Sequence, residues 1–139
     1  MSSPAKSIVL VDDERSYTEL LAQLLTDLLD CPVHTFTRPA EALAVLSTFH
    51  PGVVITDYYM PEMNGLEFIR RAAPLVPEAS FLLITGHHVA SLEAEMKKIA
   101  PLKGFLAKPF GGRKLAGEIL RVWPAAHVAP ACRADATSL

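Results

Sequence analysis

Three short runs of this chain are apolar at nearly every position, and they limit its fold more than any other feature. The runs cover Ser7–Val11, Val53–Thr56 and Ser80–Ile84. A strand with one face in water alternates apolar and polar residues, whereas a strand buried on both faces is apolar almost throughout. The three runs therefore predict central strands of a parallel sheet that carries helices on both faces.

Segments of helical period separate these strands, which indicates repeated βα units. Six leucines between residues 20 and 29 predict a first helix over about Arg15–Asp30. Four further helices are expected over Pro39–Phe49 (closed by Pro51-Gly52), Leu66–Ala73, Val89–Ala100 and Arg113–Trp123.

Two less regular runs complete the predicted sheet. Val33–Phe36 is short and mixed in polarity, as is typical of an edge strand, and Gly104–Ala107 supplies a fifth strand. The expected fold class is α/β, with a five-stranded, doubly wound parallel sheet. We expect residues 1–123 to form this domain, and the alanine- and proline-rich residues 124–139 to form a flexible tail or the start of a linker.

Length and charge exclude several classes of protein. At 139 residues the chain is one domain long, and its formal net charge of −2 gives no basic face for nucleic acid. No apolar stretch approaches the ~20 residues of a membrane span, and the N-terminus lacks a signal-peptide core. Cys31 and Cys132 form neither a CxxC pair nor a disulfide framework. We therefore expect a cytoplasmic protein with no direct nucleic-acid binding and no membrane insertion.

Acidic residues follow two of the central strands at the point where each strand ends. Asp12 and Asp13 come directly after the first run, and Asp57 comes directly after the run Val53–Thr56. If these strands are neighbours, three carboxylates share one pocket, where like charges repel unless a hard cation lies among them. Ligands of open α/β sheets bind outside the carboxyl ends of the strands, so the spacing predicts a Mg2+ site at this edge.

Two further strand ends add a hydroxyl and an ammonium group to the same edge, at Thr85-Gly86 and at Lys108-Pro109. An acid pair, an acid, a threonine and a lysine–proline in this order resemble the receiver domain of two-component response regulators, over about Lys6–Trp123. The resemblance also includes Met60-Pro61, Asn64-Gly65 and Phe105.

The resemblance implies a flavodoxin-like sheet of strand order 2-1-3-4-5 with five helices. It implies that Asp57 accepts a phosphoryl group, as an acyl phosphate, from a sensor histidine kinase or a histidine phosphotransfer protein. Mg2+ would be held by Asp13, Asp57 and the main-chain carbonyl of Tyr59. Asp12 would order a metal-bound water or support Asp13, and of the acid pair it is the stronger candidate for a simple helix cap.

Three further residues would transmit the phosphorylation signal in such a domain. Lys108 would pair with a phosphate oxygen and, beforehand, with Asp57, while Pro109 permits a cis bond after it. The Thr85 hydroxyl would move to the phosphate and Phe105 would turn inward. That change would switch the surface of the fourth helix, fifth strand and fifth helix, which would bind a downstream effector protein or form a homodimer. Plainer interpretations are a β-branched strand residue for Thr85 and a core aromatic for Phe105.

Neighbouring residues and other protein classes complete the expectations. His87 and His88 are interpreted as loop residues, because adjacent side chains rarely reach one ion. Tyr59 and His87 occupy the two positions that influence the lifetime of the acyl phosphate in the family.

A pseudo-receiver would serve only as an interaction surface, which the complete acid, threonine and lysine set disfavours. A haloacid-dehalogenase-type phosphatase would need a second aspartate where Tyr59 stands. We expect a signalling domain that catalyses only its own phosphorylation and dephosphorylation, with no external substrate.

Overall fold

A single parallel sheet organises the protein, whose computed structural model describes residues 7–86 and 92–124. Within these ranges five strands pair in the order β2-β1-β3-β4-β5. The strands are β1 (Ser7–Val11), β2 (Val33–Phe36), β3 (Pro51–Asp57), β4 (Ser80–Thr85) and β5 (Leu102–Ala107). The predicted fold class and strand order are confirmed, and β2 lies at an edge of the sheet as its mixed polarity indicated.

Five α-helices alternate with the strands in the described part of the chain. They are α1 (Arg15–Leu29), α2 (Pro39–Val45), α3 (Gly65–Ala72), α4 (Glu93–Met96) and α5 (Gly112–Val122). The longest, α1, has 15 residues. None of these helices has both the length and the apolar character that a membrane span requires.

Each face of the sheet has its own apolar core, because successive residues of a strand point to opposite faces. In β1, Ile8 and Leu10 lie in the core that α1 and α5 cover. Val9 and Val11 lie in the second core, together with residues of α2, α3 and α4. Every residue of β1, β3 and β4 is buried, as the apolar runs predicted. Packing on both faces thus fixes the strand ends where the acidic residues lie.

The leucine-rich helix α1 uses only part of its apolar surface against the sheet. Leu21, Leu25, Leu28 and Leu29 are buried, whereas Leu20 is 59% exposed and Leu24 is 37% exposed. Six leucines arranged in adjacent pairs cover a wider arc than the sheet-facing stripe of a helix.

Two predicted helices differ in their bounds from the helices observed. The helix expected from Pro39 to Phe49 ends at Val45, and the helix expected from Leu66 to Ala73 keeps its length but lies one residue earlier, at Gly65–Ala72. A 3-10 turn follows each helix, at Leu46–Phe49 and Ala73–Leu75. Such tight turns are frequent at helix C-termini, where the last carbonyl groups have no partner in the α-helix.

The prediction for the fourth helix is also wrong in extent. Of the expected Val89–Ala100, only Glu93–Met96 is α-helical in the described part of the chain, and residues 87–91 lie outside it. After Met96 the hydrogen bonds span three residues, from Lys98 N to the Glu95 carbonyl at 3.1 Å and from Ile99 N to the Met96 carbonyl at 3.1 Å. The chain therefore tightens into turns before β5 begins.

Strand β3 begins earlier than predicted, because Pro51 and Gly52 form its first residues and do not merely end the preceding helix. Proline is tolerated as the first residue of a strand, where its missing N–H costs little. Gly52 lies under the indole ring of Trp123, and a Cβ atom at this position would stand 2.6 Å from Trp123 Cζ2. Trp123 thus closes the domain over the start of β3, and of the predicted tail only Pro124 falls among the described residues.

Candidate functional site

Three carboxylates converge at the carboxyl ends of β1 and β3. These two strands are neighbours, with Val11 aligned with Thr56, so Asp12 and Asp57 follow at the same level of the sheet. One carboxylate oxygen from each of Asp12, Asp13 and Asp57 lies within 4.8 Å of the other two. This spacing is near the roughly 4 Å between opposite ligands of an octahedral Mg2+ ion. The donor set fits the divalent cation that the sequence predicted.

Asp12 and Asp13 occupy different environments. The Asp12 side chain is 1% exposed, whereas Asp13 faces solvent. Asp12 Oδ1 accepts a hydrogen bond from the backbone N–H of Glu14 at 3.0 Å, in the turn before α1, whose N-cap residue Glu14 has no side-chain capping bond. Asp12 Oδ2 also pairs with Lys108 Nζ at 3.3 Å. Asp12 is therefore a buried partner of the lysine and not a simple helix cap.

Lys108 brings a positive charge to these carboxylates from the end of β5. Its backbone N–H donates to the Thr85 carbonyl at 2.9 Å, which ties the ends of β4 and β5 together. Its ammonium group lies 3.3 Å from Asp12 Oδ2 and 3.6 Å from Asp57 Oδ1. The Lys108–Pro109 peptide bond is cis. The pairing with Asp57 expected from the sequence is present, but the contact with Asp12 is shorter.

The cluster contains more negative than positive charge, and burial together with this imbalance shifts the pKa values of its members. Burial and, next, the charge of Asp12 raise the pKa of Asp57 to about 6, even though Lys108 and the Tyr58 backbone N–H act in the opposite direction. Burial likewise raises the pKa of Asp12, against the opposing effects of the Glu14 N–H and Lys108. Burial lowers the pKa of Lys108, but Asp12 and Asp57 together outweigh it and hold that pKa above its ordinary value. One ammonium group among three carboxylates leaves a charge deficit that a divalent cation would correct.

The other predicted site residues differ in how far they are buried. Thr85 ends β4 and is fully buried, and it pairs with Ala107, the residue of β5 that precedes Lys108. Tyr59, two residues after Asp57, is 52% exposed, and its ring packs edge-on against the Tyr58 ring. Phe105 on β5 is 39% exposed, so the core-packing interpretation of this ring is wrong. His87 and His88 lie outside the described residues.

One contact at the site was missed by sequence reasoning. Lys108 Nζ lies 4.6 Å from the centroid of the Tyr17 ring, in a cation–π arrangement. Tyr17 belongs to the first turn of α1, and its ring also meets Phe110 edge-on at 6.5 Å. The helical period places Tyr17 near the carboxyl end of β1, but only the packing of α1 beside the chain that follows β5 brings it to the lysine.

Comparison with known proteins gives the same picture over most of the chain. The family model for the response regulator receiver domain matches residues 8–120. The C4-dicarboxylate transport transcriptional regulatory protein DctD of Rhizobium meliloti (strain 1021) is 35% identical over 113 residues, which are 81% of this chain and 24% of DctD. The response regulator receiver protein CpdR of Brucella abortus (strain 2308) is 31% identical over 87% of this chain and 99% of its own length.

The fold of this chain is also similar to that of solved structures. The chemotaxis protein CheY4 of Vibrio cholerae superimposes with a TM-score of 0.76 at 27% identity, covering 86% of this chain and 99% of CheY4. The chain therefore spans about a quarter of DctD but nearly the whole length of CpdR and CheY4. By the family match and by these relatives, the chain belongs to the receiver domain family of two-component response regulators.

Proposed function

We propose that Asp57 is the phosphoacceptor of this receiver domain and that its donor is the phosphohistidine of a sensor histidine kinase or a histidine phosphotransfer protein. The observation that supports this most directly is the grouping of Asp12, Asp13 and Asp57 within 4.8 Å at one sheet edge. Lys108 lies in contact with Asp12 and Asp57 there. A buried carboxylate at a strand end, with a cation site and an ammonium group beside it, has the parts that phosphoryl transfer requires.

In the proposed step a carboxylate oxygen of Asp57 forms a bond to phosphorus while the phosphorus–nitrogen bond of the donor breaks. The electron pair of that bond returns to the imidazole ring, which takes up a proton from solvent, and the product is an acyl phosphate. Mg2+, held by Asp13 and Asp57 with the Tyr59 carbonyl, would neutralise charge on the phosphoryl oxygens. Asp12 would hold Lys108 at the site, and Lys108 would pair with a phosphoryl oxygen after transfer.

The consequence of transfer would reach the surface through the ends of β4 and β5. Thr85 and Lys108 are joined by a backbone hydrogen bond of 2.9 Å, so a shift of either residue displaces the other. Phe105 lies on β5, three residues before Lys108, and lines a cavity of about 290 Å³ with Met96 of α4 and with Lys97, which follows that helix. We propose that Phe105 turns into this space when the Thr85 hydroxyl moves to the phosphate. The surface of α4, β5 and α5 would then change its affinity for an effector protein or for a second copy of the chain.

The domain would act in the cytoplasm as a signalling component whose only chemistry is on its own Asp57. Its chemistry would consist of accepting and losing this phosphoryl group, with no external substrate to turn over. The partners expected are therefore a phosphodonor protein and an effector protein, and we propose no direct contact with nucleic acid.

A small phosphodonor tests this proposal without knowledge of the kinase. Intact-mass measurement after incubation with acetyl phosphate should show one added phosphoryl group in the wild type with Mg2+, and none when Mg2+ is removed by chelation. Asp57→Asn should remain unlabelled, and Asp13→Ala should require far more Mg2+ because it lacks a metal ligand. Equal labelling of wild type and Asp57→Asn would refute the assignment of the phosphoacceptor.

A further inference from the structure

The aromatic ring of Tyr17 contacts Lys108 directly. Tyr17 has no role in the phosphoryl transfer step proposed above. The ammonium nitrogen of Lys108 lies 4.6 Å from the ring centroid, well inside the roughly 6 Å range of a cation–π contact. Tyr17 is half-buried and packs against the core that α1 and α5 share. The ring is therefore held by its own neighbours and does not depend on Lys108 for its place.

The ring adds a third contact to an otherwise flexible side chain. Lys108 has a four-carbon stem, and a lysine side chain loses rotamer entropy when it is immobilised. Only 25% of its side chain is exposed, and Asp12 Oδ2 and Asp57 Oδ1 hold its ammonium group at 3.3 and 3.6 Å. A cation–π contact is stronger when water is excluded, as it largely is here. The aromatic face thus narrows the positions that the ammonium group samples above the two carboxylates.

We propose that Tyr17 is a positioning residue for Lys108, and that its ring keeps the ammonium group over Asp12 and Asp57 ready to meet a phosphoryl oxygen. The effect on transfer rests on the function proposed above, whereas the contact in the resting protein does not. The aromatic ring, and not the hydroxyl group, holds the ammonium group, so phenylalanine at this position keeps the positioning effect. A leucine at this position fills part of the space but has no π face and releases the lysine.

A purely structural role for Tyr17 makes a different prediction. The ring also packs edge-on against Phe110, with the planes at 73°, so its loss lowers stability whatever Lys108 does. A packing role therefore acts equally in proteins with and without the lysine, whereas a positioning role disappears when Lys108 is removed. A double-mutant cycle between Tyr17→Leu and Lys108→Met separates the two.

The first measurement is the initial rate of Asp57 phosphorylation by acetyl phosphate at saturating Mg2+. Tyr17→Leu should be slower by roughly 3- to 10-fold, the range that a partly desolvated cation–π contact supports, and Tyr17→Phe should match the wild type. In the Lys108→Met background, Tyr17→Leu should have no further effect. Loss of rate in Tyr17→Phe would assign the role to the hydroxyl, and an equal effect in both backgrounds would assign it to packing; either result overturns the proposal.

The second measurement needs neither metal nor phosphodonor. In protein labelled with 13C at the lysine Cε position, the Lys108 signal, identified by its absence in Lys108→Met, should be shifted upfield by the ring current. The shift should persist in Tyr17→Phe and vanish in Tyr17→Leu. An unshifted Lys108 signal in the wild type would overturn the proposed contact. If the contact is present but wild-type Asp57 is not phosphorylated, the function proposed above fails while the contact stands.

Discussion

Replacement of Asp57 by asparagine should stabilise the metal-free protein, although it removes a group that contacts Lys108. Asparagine keeps the shape of the carboxyl group but carries no charge. Burial and the nearby Asp12 raise the pKa of Asp57 from 3.8 to about 6, with the opposing effect of Lys108 already included. Since a difference of one in pKa corresponds to about 1.4 kcal/mol, the ionised side chain costs the folded state roughly 3 kcal/mol at neutral pH. Its side chain is only 9% exposed, so solvent screens this cost weakly.

The sign of the effect sets its pH dependence. A carboxyl group whose pKa is raised by folding favours the folded state when protonated, and that contribution is lost as the pH rises through the folded pKa of about 6. The stability gap between Asp57→Asn and wild type should therefore be largest at about pH 7.5 and should nearly close at about pH 4. In thermal melts with a chelator, roughly 3 kcal/mol corresponds to a gap on the order of 10 °C for a domain of this size.

Two control measurements test whether the stabilisation by Asp57→Asn comes from removal of the buried charge. Asp13→Asn removes a solvent-exposed charge from the same cluster and should stabilise the protein less. Saturating Mg2+ should narrow the gap for Asp57→Asn, because an ion bound to the wild type offsets the repulsion. The reasoning is refuted if Asp57→Asn is no more stable than wild type at neutral pH, or if the gap is the same at both pH values.

Further predictions concern the backbone beside the site and the fate of the phosphoryl group. Gly65→Ala should destabilise the fold by about 1–3 kcal/mol in urea titrations, because a Cβ atom would stand 2.5 Å from the Asp57 carbonyl oxygen. Gly117→Ala, which meets nothing within 4 Å in α5, should instead stabilise it by roughly 0.5–1 kcal/mol, and a loss there would contradict the argument. Lys108→Ala should still take up phosphate but show no phosphorylation-dependent change in affinity for a captured partner; normal switching would refute its role. Tyr59→Asn should lose phosphate several-fold faster after donor removal in Mg2+, since an amide can orient a water that the ring obstructs, and an unchanged rate would show that Tyr59 does not shield the bond.

The amino-acid sequence was sufficient for the sheet and for the grouping of its acids. Short runs that are apolar at nearly every position are typical of strands buried between two layers of helices, so the strands and their parallel arrangement follow from local pattern. Once β1 and β3 are neighbours, Asp12, Asp13 and Asp57 must meet, because parallel strands bring their carboxyl ends to one edge. The predicted position of Lys108 follows from the same rule.

Element boundaries and the partners within the site were decided by tertiary structure. Strand β3 starts at Pro51, which pairs with Ser7 of β1, and Trp123 packs against the neighbouring Gly52 from the far end of the domain. The exposure of Phe105 depends on how much of β5 the short α4 covers, and a residue's own identity does not determine this.

Lys108 shows most clearly which features follow from the sequence and which depend on the tertiary structure. Its place at the end of β5 follows from the sequence, but its contacts with Asp12, 96 residues away in the chain, and with the ring of Tyr17 do not. Sequence periodicity reports which way a side chain points from its own element. The distance between side chains on different elements depends on how those elements pack, which is why only the folded protein shows which group holds the lysine.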